Sequence, residues 1–194
     1  MADSALALII LTPLAGALLV MLAGRWPNLR EAVSIGTGLL LVAQIISIAP
    51  SVLDGSALRQ VIATPVPQLP LAFEFEPLGL LFGLIASSLW VITTIYAIGY
   101  MRGHNESNQT RFFVFFAVAI SATMGVALAA NLFTLFVFYE LLTLSTYPLV
   151  THAGTVEARQ GGRVYIGILI GTSMAFLLPA IIATWYLTGS TDFQ

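Results

Sequence analysis

The sequence predicts an all-α integral membrane protein of six transmembrane helices, and three observations carry that prediction. Hydrophobic residues make up 58% of the 194-residue chain and charged residues 8%. Mean hydropathy is +0.95, well outside the range of an ordinary soluble domain. Five apolar runs, uncharged apart from Glu140 in the fourth, are each long enough for a helix to cross a bilayer core, which takes about 20 residues. All seven basic residues are arginines, and they fall almost entirely in alternate loops. With a net charge of -2 and scattered arginines, a nucleic-acid surface or a polybasic lipid anchor has no support. Cysteine is absent, which excludes disulfide frameworks, iron–sulfur ligation and thiol chemistry. Two histidines in separate loops give no basis for a metal site, and no organic cofactor is implied.

The first span is 5–22. It follows an acidic Met-Ala-Asp-Ser opening, and its length favours a retained helix over a cleaved signal peptide. Span two is 32–49. The external loop 50–77 then carries five prolines, which disfavour a helix, and it ends in L-A-F-E-F-E, whose alternation predicts a short surface strand. Span three is 78–100. The next apolar run, 112–150, would extend about 60 Å as one helix, twice the core thickness, so it must fold back. It divides into spans 112–130 and 132–150, with a turn at Ala129, Ala130 and Asn131 and with Asn131 as the cap of the second helix. The sixth span is 164–187. Pro179 removes a backbone donor there and should bend it, while Gly167 and Gly171 form a G-x-x-x-G that suits close packing inside the bundle. No internal repeat or second domain is visible, so 1–194 reads as one transmembrane domain.

Alternating the loops places Arg25, Arg30, Arg102, Arg111, Arg159 and Arg163 on one side and Arg59 alone on the other. Positive residues stay cytoplasmic during insertion, so both chain ends are expected outside the inner membrane of a bacterium. Trp26, Tyr100, Tyr165, Trp185 and Tyr186 lie near span ends as interfacial aromatics, whereas Trp90 falls mid-span as a packing residue.

Glu140 is the ninth residue of span 132–150 and sits near the midplane. A charged side chain there costs about 2.5 to 3.5 kcal/mol on insertion scales, against a return of roughly 3 to 6 kcal/mol from the Leu, Phe and Val residues of the span. The segment inserts in spite of Glu140, not because of it. An unpaired carboxyl in apolar surroundings favours its protonated form, and a nearby cation favours the ionised one; a group between these states can pass protons stepwise. Thr143 and Tyr147 follow Glu140 at i+3 and i+7, with Thr146 close by, so they are the candidate hydrogen-bond partners. The bland alternative is a protonated glutamic acid bonded to a neighbouring helix for packing alone. His104 and His152 lie in cytoplasmic loops, where a histidine is ordinarily solvated, although His152, just beyond the Glu140 helix, could load protons. Glu74, Glu76, Glu106, Glu157 and Asp192 read as loop solvation.

Three stretches then point to a family: E-P-L-G-L-L-F entering the third span, I-Y-A-I-G-Y-M-R-G followed by R-F-F, and N-L-F-T-L-F-V-F-Y-E-L-L-T-L-S-T-Y-P-L-V. Over 76–193 the chain resembles the N-terminal part of the antiporter-like proton-translocating subunits shared by complex I and the Mrp-type sodium/proton antiporters. The wording around Glu140 is most similar to the D-type member of the Mrp antiporters. The resemblance implies that Glu140 is the fifth-helix glutamate of the central charged axis and that T-G-S-T-D-F closes the sixth helix. It also implies coupling to a lysine on a broken seventh helix, which this lysine-free sequence does not contain. The expectation is therefore the N-terminal half of such a subunit, whether a split subunit, a truncated gene product or a fragment, completed by a chain that supplies the missing C-terminal helices.

The function expected is part of a proton-translocation path in a multisubunit monovalent cation/proton antiporter or complex I-like respiratory complex. Its partners would be other membrane subunits, lipid, protons and a monovalent cation, with no nucleic acid. The chain would have no catalytic chemistry of its own, even within an NADH-quinone oxidoreductase-like assembly. The alternatives are a non-conducting scaffold of the same complex and a small autonomous channel that oligomerises through Gly167 and Gly171.

Overall fold

A computed structural model describes residues 5–55, 58–67 and 69–193. The acidic opening at 1–4 and positions 56, 57 and 68 of the expected loop lie outside the described residues. The protein is a mostly helical membrane protein with six candidate spans. In order these are α1 (Ala5–Leu22, continued by a 3-10 turn Ala23–Arg25), α2 (Pro27–Leu53), α3 (Pro77–Gly103), α4 (Gln109–Ala127) and α5 (Leu132–Val150). The sixth is composite: α6 (Val156–Thr172), a π turn Ser173–Leu177 and α7 (Leu178–Thr188).

Several helices run past the apolar segments. Pro27, pre-set for the first helical position, starts α2 five residues before the expected boundary, so Arg30 and Glu31 lie inside the helix and pair with each other. The α4 helix starts earlier and ends earlier than the expected 112–130, because Leu128 to Asn131 turn outward to bond with a strand. Thr155 caps α6 by accepting from the Ala158 amide at 3.1 Å, which brings Arg159 and Arg163 into the helix ahead of the apolar span. Asn131 caps α5 as the sequence predicts, its Oδ1 accepting from the Thr134 amide at 2.7 Å.

The region expected as a loop at 50–77 folds further than predicted. Leu58–Val66 (β1) and Leu69–Phe75 (β2) form an antiparallel hairpin in which Leu58 faces Phe75 and Gln60 faces Phe73. Pro65 and Pro70 lie where the register is irregular, which is how proline is tolerated in a ladder, and they disguise β1 in the sequence. Beside β2 runs the α4–α5 turn: Glu74 donates its amide to Leu128 O at 2.8 Å and Ala130 donates to Ala72 O at 2.9 Å. The turn's other edge takes the segment after α7, with Leu132 N donating to Thr191 O at 2.8 Å. These bonds pair backbone groups of the hairpin, the α4–α5 turn and the segment after α7 with one another, which spares them the cost of burial without a partner.

The main apolar core lies among α1, α2, α3 and α4, around Leu6, Ile9, Leu41, Ile45, Trp90 and Met124. Ser121 of α4 donates to Ile10 O at 2.7 Å beside Pro13, and Gln44 donates to Thr12 at 2.9 Å. The expected G-x-x-x-G packing is corrected: a Cβ on Gly167 or Gly171 would meet nothing within 4 Å. The close approach of α6 to α5 is made at Gly162 instead, against Thr151 and Tyr147. Pro179 offers no N–H to Ala175 O (four back) or to Met174 O (five back), and the chain ahead of it is wound as the π turn, Leu178 N bonding Ser173 O.

Candidate functional site

Glu140 projects from the middle of α5, a helix placed by its Asn131 cap at one end and by Phe138 at its centre. The Phe138 ring lies against Gly125 of α4 and meets Phe73 edge-on, with ring centroids 5.2 Å apart. One carboxylate oxygen of Glu140, Oε1, is shut off from solvent with no hydrogen-bond partner among the described residues. Thr143 is buried beside it on the same helical face, 4% exposed. Tyr147 lies one turn further on, its ring against Gly162. No hydrogen bond joins Glu140 to Thr143 or Tyr147 among the described residues; the polar link across this seam is Thr146 with the Tyr165 hydroxyl at 3.1 Å. The Thr146–Tyr165 and Tyr147–Gly162 contacts fix an antiparallel α5–α6 register. Carried along by helical rise, that register sets Glu140 level with the part of α6 that leads into the π turn.

His152 follows α5. It is not a solvated loop histidine: both ring nitrogens are shielded and without a hydrogen-bond partner among the described residues. Its ring meets Phe112 edge-on at 5.6 Å, and its carbonyl accepts from Arg111 Nη2 at 3.0 Å. Burial and the Arg111 guanidinium hold its pKa below the ordinary 6.5, with Glu106 acting in the opposite direction. His104, by contrast, is exposed and stacks on Tyr100.

Sequence reasoning missed a charge cluster at the same end. Arg30 and Glu31 are 4% and 6% exposed. Arg30 donates to Glu31, to Gln109 Oε1 at 2.8 Å and to Thr110 at 3.1 Å, and its guanidinium lies over the Phe113 ring at 5.3 Å. Arg102 reaches the Glu31 carboxylate with two bonds, 3.0 and 2.6 Å, and Asn28 with a third. The missed signal was the adjacent Arg-Glu pair one turn after Pro27. At the opposite end, Asp192 and Glu74 are not mere loop solvation: both pair with Arg59, at 2.9 and 3.9 Å. A cavity of about 420 Å³ opens nearby, lined by Glu74, Glu76, Phe82 and Ala129 among others. No three His, Asp or Glu side chains converge as a metal-ligand set among the described residues.

No family model matches the chain. A protein designated antiporter subunit mnhA2, from Staphylococcus haemolyticus, is 28% identical over 146 residues, covering 75% of this chain and 18% of that relative. The chloroplast NAD(P)H-quinone oxidoreductase subunit 5 of Chara vulgaris is 31% identical over 129 residues, covering 64% of this chain and 19% of its own. In structure, 98% of the chain superposes on 35% of a chain of the Mrp complex from Dietzia sp. DQ12-45-1b, with TM-score 0.79 at 22% identity. The chain belongs to the antiporter-like subunit family. This antiporter-like chain spans about a fifth of the length of the curated relatives it matches. It is a multi-pass membrane protein, and chains like it are parts of multisubunit membrane complexes.

Proposed function

We propose that this chain supplies part of a proton-translocation path in a multisubunit complex, a monovalent cation/proton antiporter or a complex I-like respiratory complex, with Glu140 as the relay carboxylate. The observation that carries this reading is a carboxylate oxygen closed off from solvent at the centre of an apolar span, with no donor to it among the described residues. Intramembrane carboxyls of this kind commonly mark ion and proton pathways. Thr143, Tyr147 and the Thr146–Tyr165 pair give the α5–α6 seam a polar line from Glu140 toward the arginine-rich end. That end is cytoplasmic in this reading, and both termini lie on the external face of a bacterial inner membrane.

The partner cation is expected on membrane helices of the same complex outside residues 1–194. Replacing Glu140 by Gln in the assembled complex tests the proposal. Coupled proton transport is expected to be lost while assembly and subunit content stay normal; transport that continues unchanged would assign the chain a scaffold role instead.

A further inference from the structure

The contact between the arginine-rich ends of α4 and α5 includes a histidine, a side chain whose charge changes in the mildly acidic range. Arg111, from the first turn of α4, donates at 3.0 Å to the carbonyl of His152, two residues past the end of α5. A cation is poorly placed at the N-terminus of its own helix but well placed on the C-terminal end of another, so this bond joins the two helices. The His152 ring closes the same contact against Phe112 at 5.6 Å, with both nitrogens shielded and unbonded among the described residues. Neutral imidazole tolerates that position at moderate cost; imidazolium, with two N–H donors and a charge beside Arg111, does not. The groups acting on the ring are Arg111 from α4 and Glu106 from the preceding loop. Glu157, Arg159 and Arg163 of α6 are exposed.

We propose that His152, Arg111 and Phe112 form an acid-released latch: a proton taken by the imidazole from water frees the ring from Phe112 and loosens the α4–α5 end. The latch is independent of the reading of Glu140 as a relay: it closes the α4–α5 contact, whereas Tyr147 and the Thr146–Tyr165 pair lie along the α5–α6 seam. Burial and Arg111 depress the closed-state pKa, so the open state binds more protons. Closure is then fully favoured above the ordinary histidine value of 6.5, weakens as pH falls below it and levels off under the depressed value.

The test is backbone amide exchange of the full chain in lipid nanodiscs, corrected for intrinsic rates, from about pH 8 to about pH 5. Residues 109–113 and 147–153 are expected to open more on acidification, by about tenfold for each pH unit of depression. His152→Gln should abolish that pH dependence, and Glu140→Gln should leave it intact, which separates failure of the latch from failure of the relay. Because the chain has two histidines, the His152 imidazole can also be titrated directly by NMR. Its midpoint should lie below the ordinary value, and Arg111→Gln should raise it. Exchange that is flat with pH, that changes equally in His152→Gln, or a His152 midpoint at the ordinary value overturns the latch.

Discussion

The four helices α1 to α4 and the pair made by α5 with the α6–α7 span differ in how far the chain packs against itself. Of the apolar windows of the first four spans, 39, 28, 33 and 44% is buried; for α5 the figure is 17%, and for the sixth span 11%. Gly16 lies against Thr37, Gly38 against Val91 and Gly79 against the Ala127 carbonyl, so α1 to α4 approach closely, as membrane helices do when backbones can meet. The G-x-x-x-G of α6 faces open space. The self-packed part holds the paired charges Arg30 and Glu31, whereas the less covered part holds Glu140, whose shielded Oε1 has no hydrogen-bond partner among the described residues. A closely packed four-helix part thus sits beside a pair of helices that the chain itself leaves largely uncovered.

The largest effect expected is on the scaffold side. Glu31→Gln removes the charge that balances Arg30 in a site where both side chains are almost fully buried. Breaking a buried pair by removing one partner costs about 3–5 kcal/mol, since the other charge stays desolvated. The half-exposed Arg102 contributes less of this because water screens it. Thermal unfolding of the purified protein should show a large fall in Tm. A fall no larger than that of Asp192→Asn, whose pair with Arg59 is partly exposed, would mean that the buried cluster is not what holds the scaffold end.

Gly125→Ala probes the boundary between the two regions and should cost less. A Cβ there runs into the Phe138 ring, which is already held edge-on against Phe73, so the ring has little freedom to give. Overpacking of this kind costs about 1–3 kcal/mol. Phe138 is two residues from Glu140, so the substitution should also shift α5 and raise the solvent access of residues 138–142, readable by amide exchange.

The same contrast explains which features were legible in the sequence. Six spans, the fold-back at Asn131 and the mid-span position of Glu140 follow from hydropathy and length, which the bilayer imposes whatever the packing. The hairpin was half legible, because Phe73 and Phe75 alternate with Glu74 and Glu76 while β1 is interrupted by Pro65. The Arg30–Glu31 cluster was hidden, since charges near a span end read as solvated until partners from α3 and α4 arrive. Glycine pairs misled for the opposite reason. Spacing marks which glycines share a helical face, but only tertiary structure decides that Gly162 and not Gly167 meets a neighbour.

Gly167→Ala carries the smallest expected effect and the sharpest test of the contrast. A methyl group on Gly167 meets nothing within 4 Å, so no contact in the chain opposes it. Alanine is favoured over glycine inside a helix by up to about 1 kcal/mol. The purified chain should therefore unfold at an unchanged or slightly higher temperature than wild type, whereas Gly125→Ala unfolds earlier. Helices that approach through small residues lose their contact when a methyl is inserted, so the same substitution in the assembled complex should weaken retention of this chain. A destabilised isolated chain would show that α6 packs as tightly as α4 does, and the distinction between a self-sufficient scaffold and an open flank would fail.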